Sequence, residues 1–254
     1  MKRKISFLFC TLLLAALNAQ EFTAVAVPGG VRLRHGDLQV LIHKNYPLVT
    51  IDAAVPFTLV AMKNAVNQKL ELIDDTADKK SVRWLSEAAE NRENEKVQME
   101  FTVEVYRDFP GIFFRSKVFN RDFIGAAHCR QVWGFPMTEP AMRTDDGELR
   151  LGTAWQKLPP RQYFLYRSGK GQFYELVIPG LARPDRRMYS NFSAGDWGNV
   201  KKITLFFGTS RGNFAENEYS EVKFAVIPVR EPSEWNTVRK APEQRGRLLT
   251  FLQD

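Results

Sequence analysis

The sequence has few cysteines and no long apolar run. Only Cys10 and Cys129 occur among 254 residues, and Cys10 lies inside the N-terminal apolar run 5–17. If that run is removed during export, a single cysteine remains, which excludes an intramolecular disulfide and a cysteine-based metal site. The run is about thirteen residues long, shorter than the roughly twenty that a bilayer-spanning helix needs.

Signatures of common cofactor-dependent and hydrolytic enzymes are also missing. The sequence contains no glycine-rich phosphate-binding loop, no Gly-x-Ser-x-Gly nucleophile elbow and no dinucleotide fingerprint. It has no fixed-period repeat, no low-complexity tract and no proline- or serine-rich linker. We therefore predict a single domain without a cofactor.

The N-terminus has the layout of a secretory signal peptide. Lys2, Arg3 and Lys4 form a positive region, residues 5–17 are almost wholly apolar, and Asn18-Ala19 ends the segment. This order predicts cleavage after Ala19. We expect an exported protein, in the periplasm, at the cell surface or in the medium, with no stable membrane anchor. One domain over residues 20–254 would remain.

The charge balance argues against a nucleic-acid partner. The chain carries 36 basic and 29 acidic residues, and the first nineteen residues hold three of the basic ones. The excess left in residues 20–254 is mild and scattered. Nucleic-acid binding requires a concentrated basic stripe.

Alternation of apolar and polar residues with a period of two dominates the chain. The clearest example is the segment Val97 to Arg107, which is followed by predicted turn residues Asp108 to Gly111 and a returning strand, Ile112 to Phe119. An earlier hairpin is predicted over Val31 to His43. Strands of this length need a partner sheet over their apolar face.

The remaining pattern completes the predicted fold class. About fourteen candidate strands alternate with predicted loops, which include 86–96, 138–147 and 179–200, and residues 243–252 have helical composition. We predict an all-β fold, a large antiparallel two-sheet sandwich with a short C-terminal helix. Trp84 and Trp133 lie in strand patterns and are predicted core residues.

The hairpin over residues 101–120 carries a family resemblance. An apolar strand ends in a tyrosine, an Asp-x-Pro turn follows, and an arginine-bearing strand ends in asparagine; these residues are Tyr106, Asp108, Pro110, Arg115 and Asn120. The segment resembles galactose-mutarotase-like super-sandwich domains of mutarotases, polysaccharide lyases and the N-termini of many glycoside hydrolases. About a quarter of the chain is covered. The resemblance implies a super-sandwich fold associated with carbohydrate.

Four residues are candidates for catalysis. The resemblance implies a histidine acid and a glutamate base, and the only histidines are His35, His43 and His128, none of them in a matching motif. Glu175 lies in an apolar strand, where burial raises a carboxyl pKa toward that of a base. His35 and His43 flank a predicted hairpin, but without a motif we predict no metal site. Cys129 is predicted to be a buried, inert thiol.

The loop 183–199 is the main candidate for ligand binding. Sugar sites combine aromatic rings with hydrogen-bonding Asp, Asn and Arg side chains. The candidate residues are Arg183, Arg186, Arg187, Tyr189, Asp196, Trp197 and Asn199 of this loop, together with Trp155. The three arginines also suit a carboxylate or sulfate, so an anionic sugar stays open. The alternative is a surface loop in which Trp197 is a packing anchor.

Three functions compete at this point. The leading hypothesis is a secreted carbohydrate-associated β-sandwich that binds a glycan through loop Trp and Arg residues. The first alternative is a sugar-active enzyme, an aldose epimerase, lyase or hydrolase with a His/carboxylate pair. The second is a structural or interaction module of the cell envelope. The sequence does not decide whether the protein is an enzyme, or its oligomeric state.

Overall fold

The protein is an all-β sandwich with one C-terminal helix, as the sequence predicts. The computed structural model describes residues 21–45, 48–51, 57–58, 63–90, 94–121, 127–129, 131–144, 147–150, 163–168, 171–178, 203–208, 213–235 and 242–253. Within these residues no helix is long and apolar enough to cross a lipid bilayer.

The described residues form eighteen strands, a short 3₁₀ turn at Pro232–Glu234 and one α-helix. The elements are β1 Phe22–Val27, β2 Gly30–His35, β3 Leu38–His43, β4 Val49–Ile51, β5 Phe57–Thr58, β6 Lys63–Val66, β7 Lys69–Asp75, β8 Lys79–Glu90, β9 Lys96–Tyr106, β10 Phe109–Asn120, β11 Ala127–His128, β12 Val132–Thr144, β13 Gly147–Arg150, β14 Tyr163–Ser168, β15 Phe173–Val177, β16 Ile203–Gly208, β17 Asn213–Phe214, β18 Tyr219–Val229 and α1 Pro242–Gln253.

All pairings between these strands are antiparallel. One sheet has the order β1-β2-β3-β4, and a larger sheet has the order β13-β12-β14-β15-β18-β10-β9-β8-β6. In the larger sheet β16 and β5 also pair with β12, and β7 pairs with β8. Strands β11 and β17 form a separate short pair.

Strand β12 joins the two layers of the sandwich. Its first half pairs with β16, and its last residues pair with β13. Trp133 in the first half packs its ring against Phe101, Phe114 and Phe224, with centroids 6.1, 4.3 and 6.1 Å away. Those rings come from β9, β10 and β18, so this half of β12 faces these strands across the core.

The four-stranded sheet covers the neighbouring part of the same inner surface. Its residues Leu33, Val40 and Ile42 belong to one hydrophobic cluster with Trp84 and Trp133. Both tryptophans are fully buried, as predicted from the sequence. Trp84 Nε1 also donates a hydrogen bond of 3.0 Å to the carbonyl of Lys44, which ties the two layers together.

Two predicted loops are wrong over part of their length, because strands extend into them. The segment 86–96 was expected to be a loop, but β8 runs to Glu90 and β9 begins at Lys96. Alternation continues to Ser86, which is buried, and Glu87, which is exposed and bonds Lys69, and a bulge between Ser86 and Ala89 then shifts the register. The segment 138–147 was also expected to be a loop, but β12 extends to Thr144 because β13 pairs with its end.

The turn between β9 and β10 is shorter than predicted. The sequence indicated turn residues from Asp108 to Gly111, whereas Phe109 already pairs with Tyr106 at the start of β10. The register shifts between Phe109 and Ile112, which marks a bulge. The tip of this hairpin is therefore Arg107 and Asp108.

Helix α1 covers part of the outward face of the large sheet, the face opposite the core between the layers. Leu248 is buried against Phe113, Val177, Ala225 and Ile227. These residues alternate with core residues along β10, β15 and β18. Each large side chain buried in this way contributes about 1.5–3 kcal/mol to folding, so α1 is held by a second, smaller core.

Gly111 lies where β10 approaches β18 too closely for a side chain. A Cβ at this position would lie 2.7 Å from the carbonyl oxygen of Val226 and 2.9 Å from the Phe109 ring. We expect Gly111→Ala to lower the free energy of unfolding by about 1–3 kcal/mol, the usual cost of overpacking. Chemical denaturation measures this change.

Gly246 in α1 provides the matched control. A Cβ there would have no atom within 4 Å. Gly246→Ala should raise the free energy of unfolding by up to about 1 kcal/mol, because alanine is the better helix former. Equal effects of the two substitutions would contradict the close approach at Gly111.

Candidate functional site

A cavity of about 530 Å³ opens on the outward face of β9 and β10, beside α1. We call it the outward cavity. Its lining comes from two neighbouring strands, the hairpin tip and the helix: Thr102, Glu104, Tyr106, Asp108, Phe113, Arg115, Arg247, Thr250 and Phe251. Strand alternation explains this set, since Phe101, Val103 and Val105 between them point into the core.

One wall of the outward cavity is acidic and held by hydrogen bonds. The Tyr106 hydroxyl donates to Glu104 Oε2 at 2.8 Å, and Lys79 Nζ lies 3.1 Å from Glu104 Oε1. Burial, followed by the hydrogen bond to Glu104, raises the pKa of Tyr106 to about 12. Tyr106 is therefore a neutral phenol near pH 7, a hydrogen-bonding group rather than a base.

Helix α1 forms one side of the outward cavity and contacts the tip of the β9–β10 hairpin. Arg247 of α1 forms an ion pair of 2.5 Å with Asp108, and its guanidinium lies 4.2 Å from the centre of the Tyr106 ring. Both interactions join α1 to the β9–β10 hairpin. The pair is partly exposed, so we assign it a positioning role rather than a large stabilisation.

The floor of the cavity is aromatic. The Phe113 ring lies 4.6 Å from the Phe251 ring and 5.5 Å from the Tyr106 ring, in tilted and T-shaped arrangements. The Arg115 guanidinium lies 5.7 Å from the Phe251 ring. The cavity thus combines ring surfaces with two carboxylates and two guanidiniums.

Three of the five residues of the family resemblance meet at the outward cavity, although the sequence does not predict them as ligand contacts. Tyr106, Asp108 and Arg115 line the outward cavity. Pro110 lines a second cavity, and Asn120 is buried, where its Nδ2 donates to the carbonyl of Phe214 at 2.8 Å. The signal in the sequence is the polar side of the β9–β10 alternation, which by itself indicates only sheet geometry.

A second cavity, of about 250 Å³, lies at the other side of the hairpin tip. We call it the rim cavity. Its lining comes from the β2–β3 turn and the ends of β10, β15 and β18: His35, Asp37, Leu38, Pro110, Gln172, Phe173, Tyr174, Pro228, Val229 and Arg230. Tyr174 is held there by a hydrogen bond of 2.9 Å from its hydroxyl to Gln172 Oε1.

His35 is the candidate catalytic residue that lines this rim cavity. It is 5% exposed, its ring packs edge-on against Phe22 at 5.5 Å, and its Nε2 lies 3.1 Å from the carbonyl oxygen of Arg107. Nε2 is therefore the protonated nitrogen. Its Nδ1 is buried without a hydrogen-bond partner among the described residues. Burial lowers the pKa of His35.

The structure does not bring the two N-terminal histidines together. His35 pairs with Leu38, whereas His43 pairs with Gly30 at the other end of the same hairpin. Five residues of strand separate the two histidines, about 17 Å. His43 Nε2 lies 3.0 Å from Thr50 Oγ1. Among the described residues, no three His, Cys, Asp or Glu side chains form a metal-binding group.

Glu175 and His35 lie on opposite sides of the large sheet. Tyr174 and Leu176 point into the core, and Val177 packs under α1, so the alternation places Glu175 on the outward face. Its register neighbours are Leu165 and Ile227, and it is 1% exposed. It does not line either cavity.

Cys129 is buried, as predicted from the sequence. It is fully buried, and burial raises the pKa of its thiol to about 12. The backbone of His128 pairs with Asn213 in the β11–β17 ladder, and its side chain lies outside the described residues. A thiol with so high a pKa is protonated at neutral pH and unreactive as a nucleophile.

The predicted ligand loop lies outside the described residues. This applies to every ligand-binding candidate from the sequence: Trp155, Arg183, Arg186, Arg187, Tyr189, Asp196, Trp197 and Asn199. Their role stays a prediction.

Comparison with known proteins supports the fold. No family model matches the chain, and no curated protein matches it. Similar solved structures include the alpha-N-acetylgalactosaminidase NagBb from Bifidobacterium bifidum, as a quadruple mutant, with a TM-score of 0.51, 10% identity, and coverage of 85% of this chain and 39% of that one. At this identity the likeness concerns the fold alone.

Two further solved structures are less similar. The heparan sulfate lyase HepC from Pedobacter heparinus has a TM-score of 0.46 and 10% identity, with coverage of 84% of this chain and 37% of that one. The alpha-galactosidase from Lactobacillus brevis has a TM-score of 0.34 and 10% identity, covering 80% and 30%. The chain thus spans well under half the length of each of these proteins.

The pKa of His35 makes stability depend on pH. Because burial lowers this pKa below 6.5 in the folded state, the unfolded chain binds more protons below that pH. The contribution of His35 to the free energy of unfolding should be complete above pH 6.5 and should fall as the pH drops below it, by at most about 1.4 kcal/mol per pH unit. Urea denaturation across this range measures the slope.

His35→Gln should flatten this slope. His43, whose pKa is also lowered by burial, contributes with the same sign, so His43→Gln should remove only part of it. Identical slopes in the unmodified protein and in His35→Gln would show that His35 is not protonated on unfolding in this range.

Proposed function

We propose that this protein is an exported, carbohydrate-associated β-sandwich that binds a glycan in the outward cavity. The observation that carries the proposal is the meeting of aromatic rings with charged hydrogen-bonding groups in one concave site. A pyranose presents an apolar C–H face and a rim of hydroxyls. Phe251, which is partly exposed, suits that face, while Glu104 and Asp108 accept from hydroxyls and Arg115 donates to them.

Two further points support this proposal. One similar solved structure, with a TM-score of 0.51, is named as an alpha-N-acetylgalactosaminidase. In addition, the residues that carry the resemblance to galactose-mutarotase-like domains, Tyr106, Asp108 and Arg115, line the cavity. We extend the proposal to that super-sandwich family. Trp155 and the loop 183–199 are proposed as additional contacts to the same ligand.

A second candidate function is a sugar-active enzyme, with the rim cavity as its site. One observation favours it: His35 and Asp37 line the same cavity, together with Tyr174. A histidine held neutral by burial, with Nε2 donating to a carbonyl, keeps Nδ1 as its basic nitrogen. A histidine and a carboxylate in one cavity can transfer a proton to or from a sugar hydroxyl, which here requires that the buried Nδ1 become accessible to the ligand.

Removal of one cavity ring tests the binding function. Phe251→Ala deletes a ring that lines the outward cavity, and we expect it to weaken binding of an oligosaccharide ligand about tenfold, as loss of an aromatic contact usually does. Calorimetric titration against a panel of oligosaccharides identifies a ligand and measures the change. Leu249→Ala is the control, because Leu249 is a neighbouring exposed residue of α1 outside the cavity lining.

Equal losses in the two variants would contradict binding in the outward cavity. The same incubations test the enzyme, since turnover of a bound sugar is visible by NMR. Turnover that His35→Gln abolishes while binding persists would favour the second candidate. The absence of turnover with every bound sugar would count against it.

Export is tested by the N-terminus of the recovered chain. If residues 1–19 are a leader, protein from the cell envelope or the medium should begin at Gln20. Mass spectrometry of the intact chain determines this residue. If the chain is recovered only from the cytoplasm and still begins at Met1, the proposed export is contradicted.

A further inference from the structure

We infer that the ligand of the outward cavity is a linear, negatively charged glycan that continues from the cavity along β10. The inference rests on the proposed function and adds the class and direction of the ligand. It depends on a row of residues that we call the β10 track, which consists of Arg115, Lys117, Phe119 and Arg121 with Tyr219 of β18.

The track is a geometric consequence of the strand. Arg115, Lys117 and Phe119 occupy alternate positions of β10 and share its outward face, about 7 Å apart. Arg121 follows the strand and remains on this face, since its guanidinium bonds Gln98 of β9 and Asn217. Arg115 also lines the outward cavity. The track therefore begins inside the cavity and runs away from it.

Positive charge exceeds negative charge along the track. Arg115 Nε and Lys117 Nζ both lie 3.8 Å from Glu221 Oε1, and Lys223 Nζ lies 3.7 Å from Glu221 Oε2. Glu100 is opposite Lys117 in register. Arg115 and Lys117 thus share the carboxylate of Glu221 with Lys223, whereas Arg121 is bonded to amide oxygens.

Other cations on the same face are arranged differently. Lys69 pairs with Glu87, and Arg83 pairs with Glu71 at 2.5 Å, each with a carboxylate of its own. Their charges are locally balanced. The excess on the track is therefore a local property of β10 and β18, and anionic groups spaced along a ligand would offset it.

Aromatic rings hold the cations of the track in place. The Phe119 and Tyr219 rings lie 5.1 Å apart, Lys117 Nζ lies 4.5 Å from the Tyr219 ring, and the Arg121 guanidinium lies 4.9 Å from the Phe119 ring. Such cation–π contacts reduce the freedom that these side chains lose on binding. Tyr219 is 43% exposed and offers a surface to a sugar ring.

The cavity at the start of the track favours a sugar chain over a nucleic acid. Basic residues with exposed rings also suit single-stranded nucleic acid. Glu104 and Asp108 line the cavity, however, and would repel a phosphate while accepting hydrogen bonds from hydroxyls. A ligand that suits both the outward cavity and the β10 track carries hydroxyls at one end and carboxylates or sulfates along its length.

The experiment compares matched probes on the full chain by affinity electrophoresis. Dextran sulfate and dextran share a backbone and differ in charge, and alginate supplies carboxylates instead of sulfates. We expect binding of dextran sulfate or alginate and at least tenfold weaker binding of dextran. Affinity for the charged probe should fall at least tenfold between about 0.1 M and about 1 M salt, as the Debye length shrinks from about 10 to about 3 Å.

Charge removal locates the site. Lys117→Gln with Arg121→Gln should weaken binding of the charged probe about tenfold, since each exposed charged contact is worth up to about fivefold. Lys69→Gln with Arg83→Gln removes the same charge from the same face and should change binding less than twofold. Melting temperatures of both double variants show whether they are folded. The salt series uses the unmodified protein, so it tests the inference even if a variant does not fold.

Each remaining outcome is decisive. If dextran binds as tightly as dextran sulfate, or if the two double variants weaken binding equally, the β10 track is not the binding site. The inference then fails, and the proposed binding of a glycan in the outward cavity is retained. If a single-stranded oligothymidylate binds as tightly as dextran sulfate, the glycan class is wrong. If no polysaccharide binds, both the inference and the proposed function fail.

Discussion

The alternation of β9 and β10 is the constraint on which the core and the site both depend. Phe101 and Phe114 point inward and pack on Trp133, while Thr102 and Arg115, paired across the two strands, point outward. A slip of one residue in either strand would exchange the two faces of that strand. It would expose phenylalanine and bury charged groups at a cost of several kcal/mol. The buried rings therefore also fix the position of the outward cavity.

The hairpin tip links this sheet to the rest of the molecule from two sides. The Arg107 carbonyl accepts a hydrogen bond from His35 of the four-stranded sheet, and Asp108 pairs with Arg247 of α1. The contact with His35 lies at the rim cavity and the contact with Arg247 lies at the outward cavity, and the hairpin tip separates the two cavities. The tip is thus held by groups from both layers and the helix. A cavity formed between a strand pair and a docked helix depends on such contacts, because strand pairing alone leaves an open surface.

Sequence reasoning succeeded where local alternation was strong and failed where strands carried charge. The hairpin over residues 31–43 and the strands β9 and β10 were predicted, as were the buried Trp84, Trp133 and Cys129. The ends of β8 and β12 were mistaken for loops because charged, small or proline residues there resemble loop composition, although pairing with β9 and β13 keeps them extended. Tyr106, Asp108 and Arg115 were recognised as a motif but not as a cavity, since Arg247 and Phe251 reach them from more than 130 residues away.

The sequence by itself determined that the chain forms strands, that these strands have one apolar and one polar face, and that a helix ends it, because period and composition are local properties. The tertiary structure alone decided which strands are neighbours, that β12 passes from one layer to the other, and that α1 docks on the outward face. It also separated His35 from His43 and placed Glu175 across the sheet from His35. These outcomes depend on packing between distant segments, which local patterns do not encode.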